Sequence, residues 1–334
     1  MSRRGPWRRL RRATRGPRNA LLARAIGGAG RALGLLPASV GLALGEALGA
    51  AAHALLGTPR RFALEHVGIA FPELDAAARA RLVRQTFRHA GRSFAELALL
   101  PKLSRRPGFV SLEGRAAFDE ALAAGGGAIV VTGHVGNWEL LAATVAAEGY
   151  PITVVGRRVN DVRFNALITA FRRAAGLEIL SRDDPRFVSA VRDALRRGRV
   201  VALLIDQDTR GAGVFVPFFG RPARTPPGPA VLALRARAPV LTVFIRRRPD
   251  GGHTIAFERV PVPARSGRDA VVALTARLTA AIEAHIRTAP TEWVWWHRRW
   301  RSSEEIAASR GAGLGFAEPE RRGPGASEER SGRP

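Results

Sequence analysis

From about residue 109 onward, short aliphatic runs alternate with longer stretches of helical periodicity. Ala128–Thr132, Ile152–Val155, Val200–Ile205, Val240–Ile245 and Thr254–Phe257 have strand length and are dominated by β-branched and aliphatic residues. Between and around them, Ala116–Ala123, Trp138–Ala147, Val162–Ala175, Pro185–Arg196, Pro226–Ala236 and Asp269–Arg287 carry the spacing of helices. Strands that are apolar throughout belong to a sheet covered on both faces, and strand–helix alternation predicts parallel pairing. The pattern therefore predicts an α/β domain over residues 57–303. Upstream, Leu64–Leu103 reads as helical, interrupted by a turn at Phe71-Pro72-Glu73, with Asp75 as the N-cap of the helix that follows.

Residues 20–56 break with this pattern, being rich in Ala, Leu and Gly with little periodicity. The apolar stretch is too long for a signal peptide and closes without a small-x-small cleavage site. Ala32–Leu56 is long enough to cross a membrane and holds Glu46 as its firm charge, although Pro37 and the glycines weaken that reading. Before it, residues 1–19 form a basic arm with Trp7 and arginines from Arg3 to Arg18. Residues 304–334 have few apolar anchors and read as a disordered tail.

Charge narrows the classes of partner more than composition does. Of 53 basic residues 52 are arginine, and the formal charge is +25. Such an excess ordinarily points to nucleic acid, but it is spread along the chain and no helix-turn-helix, zinc-finger or single-strand-binding pattern accompanies it. An anionic membrane surface, a phosphorylated lipid or an acidic carrier protein fits the charge as well. The chain has no cysteine, and Lys102 is its one lysine. Thiolate catalysis and thiolate-held zinc are excluded, and a Schiff base is disfavoured.

The most informative string is Gly133-His-Val-Gly-Asn-Trp-Glu139. It follows the strand Ala128–Thr132, so His134 emerges at a strand's carboxyl end, where open α/β sheets gather their chemistry. Glu139 falls in the first turn of the next helix. From there it could accept a hydrogen bond from one ring nitrogen of His134 and leave the other as a base. No serine sits in a Gly-x-Ser-x-Gly elbow. A base without a protein nucleophile implies that a substrate hydroxyl is deprotonated and attacks an activated acyl group.

This His-x-x-x-x-Glu string after a strand resembles the glycerolipid and lysophospholipid acyltransferases, and the fuller string resembles their bacterial lipid A biosynthesis (lauroyl/myristoyl) branch. Further blocks follow in the same order: Ile205-Asp-Gln-Asp208, Gly213 to Gly220, Ala238 to Phe244 and Trp293-Val-Trp-Trp-His-Arg-Arg-Trp300. Ala70-Phe-Pro-Glu73 and Phe94-Ala-Glu96 fit upstream. Where that branch often carries Tyr-Arg or Ala-Arg after the second strand, this chain has Gly156-Arg157-Arg158.

The resemblance implies a mixed, largely parallel sheet of the glycerol-3-phosphate acyltransferase type behind an N-terminal helical anchor. It also implies catalytic roles for His134, Glu139 and Arg172, the last preferred to Arg173 by position. Asn137, Arg157, Asp206 and Asp208 are the expected substrate-binding residues. No cofactor and no metal are expected. Gly213–Gly220 could line an acyl chain or belong to the core, and the four tryptophans of 293–300 could form an interfacial belt or a packed core. His297 is assigned no role. The donor would be acyl carrier protein or acyl-CoA and the acceptor a glycolipid, lipid A or its precursor, with another glycolipid or phospholipid such as phosphatidylinositol mannoside as the alternative and a non-catalytic basic membrane-surface or nucleic-acid-binding protein as the rival class. No nucleic-acid partner is expected. Thioester donors are cytoplasmic, whereas a single span with the basic arm inside would place the domain outside. An interfacial anchor on the cytoplasmic face of the inner membrane reconciles the two.

Overall fold

The apolar runs become strands, and weaker ones join them at the edges. The computed structural model describes residues 27–123, 125–157, 162–209, 211–303 and 316–317. Its strands are β1 (Val110–Glu113), β2 (Ala128–Thr132), β3 (Ile152–Gly156), β4 (Glu178–Ser181), β5 (Val200–Leu204), β6 (Gly213–Phe218), β7 (Arg221–Thr225), β8 (Val240–Arg247), β9 (His253–Val260) and β10 (Phe316–Ala317). Seven of them form one sheet in the order β1-β9-β8-β2-β5-β3-β4. From β8 to β4 every pairing is parallel, and the β8–β9 hairpin reverses direction, which makes the sheet mixed as expected. β1 and β4 were not legible as strands: Val-Ser-Leu-Glu and Glu-Ile-Leu-Ser are half-polar, and edge position lets them stay only partly buried. The Gly213–Gly220 block turns out to be β6 of a separate small antiparallel sheet, its Val214, Val216 and Phe218 buried as core.

Helices cover both faces. Residues 27–35 are helical and are called α1. Then come α2 (Ala38–Leu55), α3 (Gly57–Ala70), α4 (Ala76–Leu103), α5 (Arg115–Ala123), α6 (Trp138–Ala147), α7 (Val162–Ala174), α8 (Phe187–Arg196), α9 (Gly228–Ala236) and α10 (Arg268–Thr288). Alternation along β2 divides the core: Ile129 and Val131 pack with α3, α8, α9 and α10, while Ala128 and Val130 pack with α5 and α6. Asp75 caps α4 as expected, accepting from the Ala78 N–H at 2.6 Å.

The basic arm, the start of the anchor segment and residues 304–315 and 318–334 lie outside the described residues. Within the anchor, the glycines have a use the sequence did not disclose. Gly41, Gly45 and Gly49 are buried against α4, and a Cβ on Gly45 would come within 2.8 Å of the Gly91 carbonyl. Backbones this close need small residues on both helices. On its outward side α2 exposes Val40, Leu44, Leu48 and Leu55, while Glu46 is held by Arg88 at 3.0 Å and Arg92 at 2.5 Å. By length and composition α2 could cross a membrane, being 18 residues or about 27 Å at the helical rise.

Candidate active site

Strand register builds the centre of the site. β2 and β5 are adjacent and parallel, with Thr132 opposite Leu204. Two residues beyond each strand end stand His134 and Asp206, brought to the same level by that register. His134 Nδ1 lies 2.8 Å from Asp206 Oδ1, and the His134 backbone N–H donates to Oδ2 at 2.6 Å. Trp293 Nε1 donates to the same Oδ2 at 2.8 Å. Gly133 makes room for this, because a Cβ there would approach Asp206 Oδ2 to 3.2 Å.

Asp206 is 2% exposed. Burial pushes its pKa up, but the charge His134 can carry and three donors together hold it well below the usual carboxylate range. A buried carboxylate in this position fixes Nδ1 as the protonated ring nitrogen and leaves Nε2 with its lone pair. The expected orienter was Glu139, and the structure corrects that: Asp206 holds His134. Among the described residues no hydrogen bond joins Glu139 to the ring. Glu139 instead accepts two bonds from Arg172, Nε to Oε2 at 3.0 Å and Nη2 to Oε1 at 2.6 Å. The reason is geometric, since Glu139 belongs to α6 while β5 delivers Asp206 directly to Nδ1. Arg172, on α7, passes over the end of β3, its Nη1 3.3 Å from where a Cβ on Gly156 would stand. Arg173 is exposed, so the preference for Arg172 agrees with the geometry.

The loop carrying His134 is clamped by the chain's tryptophan-rich segment. Val135 pairs with Trp293 in an isolated antiparallel bridge; the Gly136 N–H donates to the Glu292 carbonyl and the Val294 N–H to the His134 carbonyl. Gly136 has φ +64°, and a Cβ would lie 2.3 Å from the Ile245 carbonyl, so only glycine fits. Three of the four tryptophans are core, Trp293, Trp295 and Trp300 being at most 2% exposed, while Trp296 is partly buried and lines a cavity. Beneath them Arg299 is fully buried, bonded to the Arg224 carbonyl and Thr225, and burial pulls its pKa down to about 10.

Three expected substrate-binding residues are occupied elsewhere. Asn137 is buried and caps α6, accepting from the Leu140 N–H at 3.2 Å and donating to Glu96 and the Ser93 carbonyl. Glu96 in turn is bonded to Arg247 and His253, an ionic cluster behind the loop that overcomes its burial and draws its pKa down to about 2. Asp206 is enclosed and fully engaged, so it cannot touch substrate. Asp208 accepts from the Ser302 N–H and hydroxyl and from Arg301 Nε. Arg157 is 62% exposed at the β3 end and lies 3.8 Å from Asp183, so it is not brought to His134. Arg158 lies outside the described residues.

Two residues the sequence did not single out stand beside the imidazole. Gln207 Nε2 lies 3.2 Å from His134 Nε2 and 2.9 Å from His297 Nδ1, where it donates to both rings. Burial, with the nearby His134 charge, lowers the His297 pKa to about 4 and keeps that ring an acceptor at neutral pH. Two kinds of cavity flank this group. On the Glu139 side, about 150 Å³ lined by Trp138, Phe94, Leu97 and Trp296 continues into about 310 Å³ between α2 and α4, walled by Leu48, Ala52 and Phe87. On the Gln207 side, about 280 Å³ is lined by Gln207, Asp208, His297, Arg298 and Arg301.

A carboxylate-oriented histidine thus stands at the strand ends of a mixed α/β sheet, with an arginine–carboxylate pair and an apolar groove beside it. Residues 12–302 match the family model of the bacterial lipid A biosynthesis acyltransferases, and the chain belongs to that family and is an O-acyltransferase. It is 29% identical over 231 residues to the phosphatidylinositol mannoside acyltransferase of Mycobacterium tuberculosis, covering 67% of this chain and 71% of that protein. It is 27% identical to two Escherichia coli proteins. With the lipid A biosynthesis palmitoleoyltransferase the match covers 80% of this chain and 87% of the other, and with the lauroyltransferase 82% and 90%.

Proposed function

We propose that this enzyme transfers a fatty acyl group from a thioester, acyl carrier protein or acyl-CoA, to a hydroxyl of a phosphorylated glycolipid. His134 Nε2 takes the hydroxyl proton, and Asp206 holds the tautomer and stabilises the imidazolium that forms. The alkoxide adds to the thioester carbonyl; the tetrahedral intermediate then expels the thiolate, which leaves as thiol with the proton returned by His134. Arg172, braced by Glu139, supplies a rigid fork of donors for the charge that develops on the carbonyl oxygen. The donor's acyl chain lies in the apolar groove from Trp138 towards α2. The observation that carries the reading is the Nδ1–Asp206 bond, which leaves Nε2 as the base.

Lipid A or its precursor is the acceptor on the first reading. The phosphatidylinositol mannoside acyltransferases among the relatives favour a mannosylated phosphoinositide as the second. The apolar outer face of α2, together with the arm's arginines, supports attachment at the cytoplasmic face of the inner membrane, with α2 lying against α4. Its exposed leucines would reach into the interface.

The test is acyl transfer by purified enzyme with each acceptor in turn, followed by mass spectrometry of the product. His134→Ala is expected to lower turnover about 10²–10⁴-fold with the fold intact. Native turnover in that variant overturns the mechanism, and transfer to neither acceptor overturns the substrate class.

A further inference from the structure

The polar cavity beside Gln207 has no part in the acyl transfer proposed, yet Gln207, which lines it, reaches His134 Nε2. We propose that the cavity lined by Gln207, Asp208, His297, Arg298 and Arg301 is the subsite for a phosphate carried on the acceptor's saccharide headgroup. This rests on the glycolipid reading and makes it more specific.

Position is the first argument. The Gln207 amide that faces the cavity also touches His134 Nε2 at 3.2 Å. A hydroxyl delivered to Nε2 from the Gln207 side passes that amide, which puts the part of the molecule bearing it at the mouth of the cavity. The opposite cavity is a poorer place for an anionic headgroup, because its lining is mainly apolar, with Trp138, Phe94, Leu97 and Trp296, and carries the carboxylates Glu139 and Glu292 but no arginine. The two walls divide one amphipathic reaction: the acyl chain on the Glu139 side, the sugar on the Gln207 side.

Charge is the second argument. The lining sets two guanidiniums against one carboxylate. That carboxylate, Asp208, is engaged by Arg301 Nε at 3.2 Å and by the Ser302 N–H at 3.1 Å and hydroxyl at 3.0 Å. It braces Arg301 as Glu139 braces Arg172. Arg298 stands at the exposed rim with its guanidinium 5.3 Å from the Phe62 ring centre. Arginine forks bind phosphate through paired, directional bonds, which a hydroxyl-only sugar does not reproduce. Gln207 and His297 complete a wall of neutral groups suited to sugar hydroxyls. The volume of about 280 Å³ is at the small end of ligand pockets, enough for a phosphorylated sugar unit and too small for the whole lipid.

A phosphate could also come from the donor, on coenzyme A or the carrier's phosphopantetheine, and the experiment separates the two. Water-soluble headgroups, a glucosamine disaccharide bisphosphate and a deacylated phosphatidylinositol mannoside, are titrated into the full-length protein and followed by tryptophan fluorescence and calorimetry, beside the unphosphorylated disaccharide. At least one phosphorylated probe is expected to bind about tenfold or more tightly than its unphosphorylated counterpart. Arg298→Gln at the exposed rim, with thermal melting to confirm the fold, removes about tenfold of that affinity. Arg298→Lys restores part of it. In the transfer assay Arg298→Gln raises KM for the phosphorylated acceptor and leaves KM for acyl-CoA unchanged. Equal binding of phosphorylated and unphosphorylated sugars, or binding of neither phosphorylated probe, overturns the subsite, as does a rise in donor KM alone. Probe binding that depends on Arg298 in an enzyme that transfers no acyl group upholds the subsite and overturns the function.

Discussion

Replacing Asp206 by Asn separates orientation by Asp206 from orientation by Glu139. The side chains have the same shape, and the site is closed, Asp206 being 2% exposed. The carboxylate accepts three bonds: from His134 Nδ1 on one oxygen, and from the His134 N–H and Trp293 Nε1 on the other. An amide can satisfy only one side. If its NH2 faces the backbone and the indole, three donors meet with no acceptor, and a buried unmet donor costs about 1–3 kcal/mol. The cheaper orientation turns the NH2 towards Nδ1, which then must accept. The ring proton moves to Nε2, and the base is lost. Tautomer inversion of this kind in a serine protease triad lowers kcat about 10⁴-fold, so a loss of 10³–10⁴-fold is expected here. The assay is release of free thiol from acyl-CoA in the presence of acceptor, with thermal melting to confirm the fold. Stability supplies a second readout. Asp206's lowered pKa stabilises the native state above the ordinary carboxylate value near 4, and that contribution is lost as pH falls towards the native pKa. The variant should therefore lose less stability on acidification than the native protein. Turnover within threefold of native would refute the assignment and return the orienting role to another group.

Arg172→Ala is expected to lower kcat, with Arg172→Lys rescuing only in part, since a point charge cannot engage Glu139 at both oxygens; equal kcat for Lys and Arg would remove the fork from the argument. Burial, partly offset by Arg247, raises the Glu292 pKa to about 7. Protonation is thus favoured in the folded state, and the native protein should lose on the order of 2–3 kcal/mol of stability as pH rises from about 4.5 through 7. Urea unfolding of Glu292→Gln should lack that slope, and an unchanged slope would show the carboxyl to be ionised throughout. Leu44→Gln with Leu55→Gln on the outer face of α2 should shift the protein from vesicles to supernatant in sedimentation while acting normally on a detergent-dispersed acceptor; unchanged sedimentation would take the membrane contact away from that face.

The strand–helix pattern disclosed the class of fold, the central strands and the place of His134. Ala128–Val131 is apolar at every position because both sheet faces are covered, and a strand followed by glycine and a capped helix puts His134 at its carboxyl end whatever surrounds it. Arg172 was legible by its place in a helix beside the site. Half-polar edge strands such as β1 and β4 carried no such pattern, since an edge requires less burial. Only the tertiary structure decided which carboxylate His134 meets. Glu139 is near in sequence, but the parallel register of β2 with β5 puts Asp206, 72 residues away, at hydrogen-bond distance. That register is a property of two paired strands, and local propensity is blind to it. The tryptophan segment likewise looked like a surface belt or a core with equal reason. Its bridge to Val135 and the Trp293 bond to Asp206 arise only when the end of the domain folds back across the strand ends and closes the site.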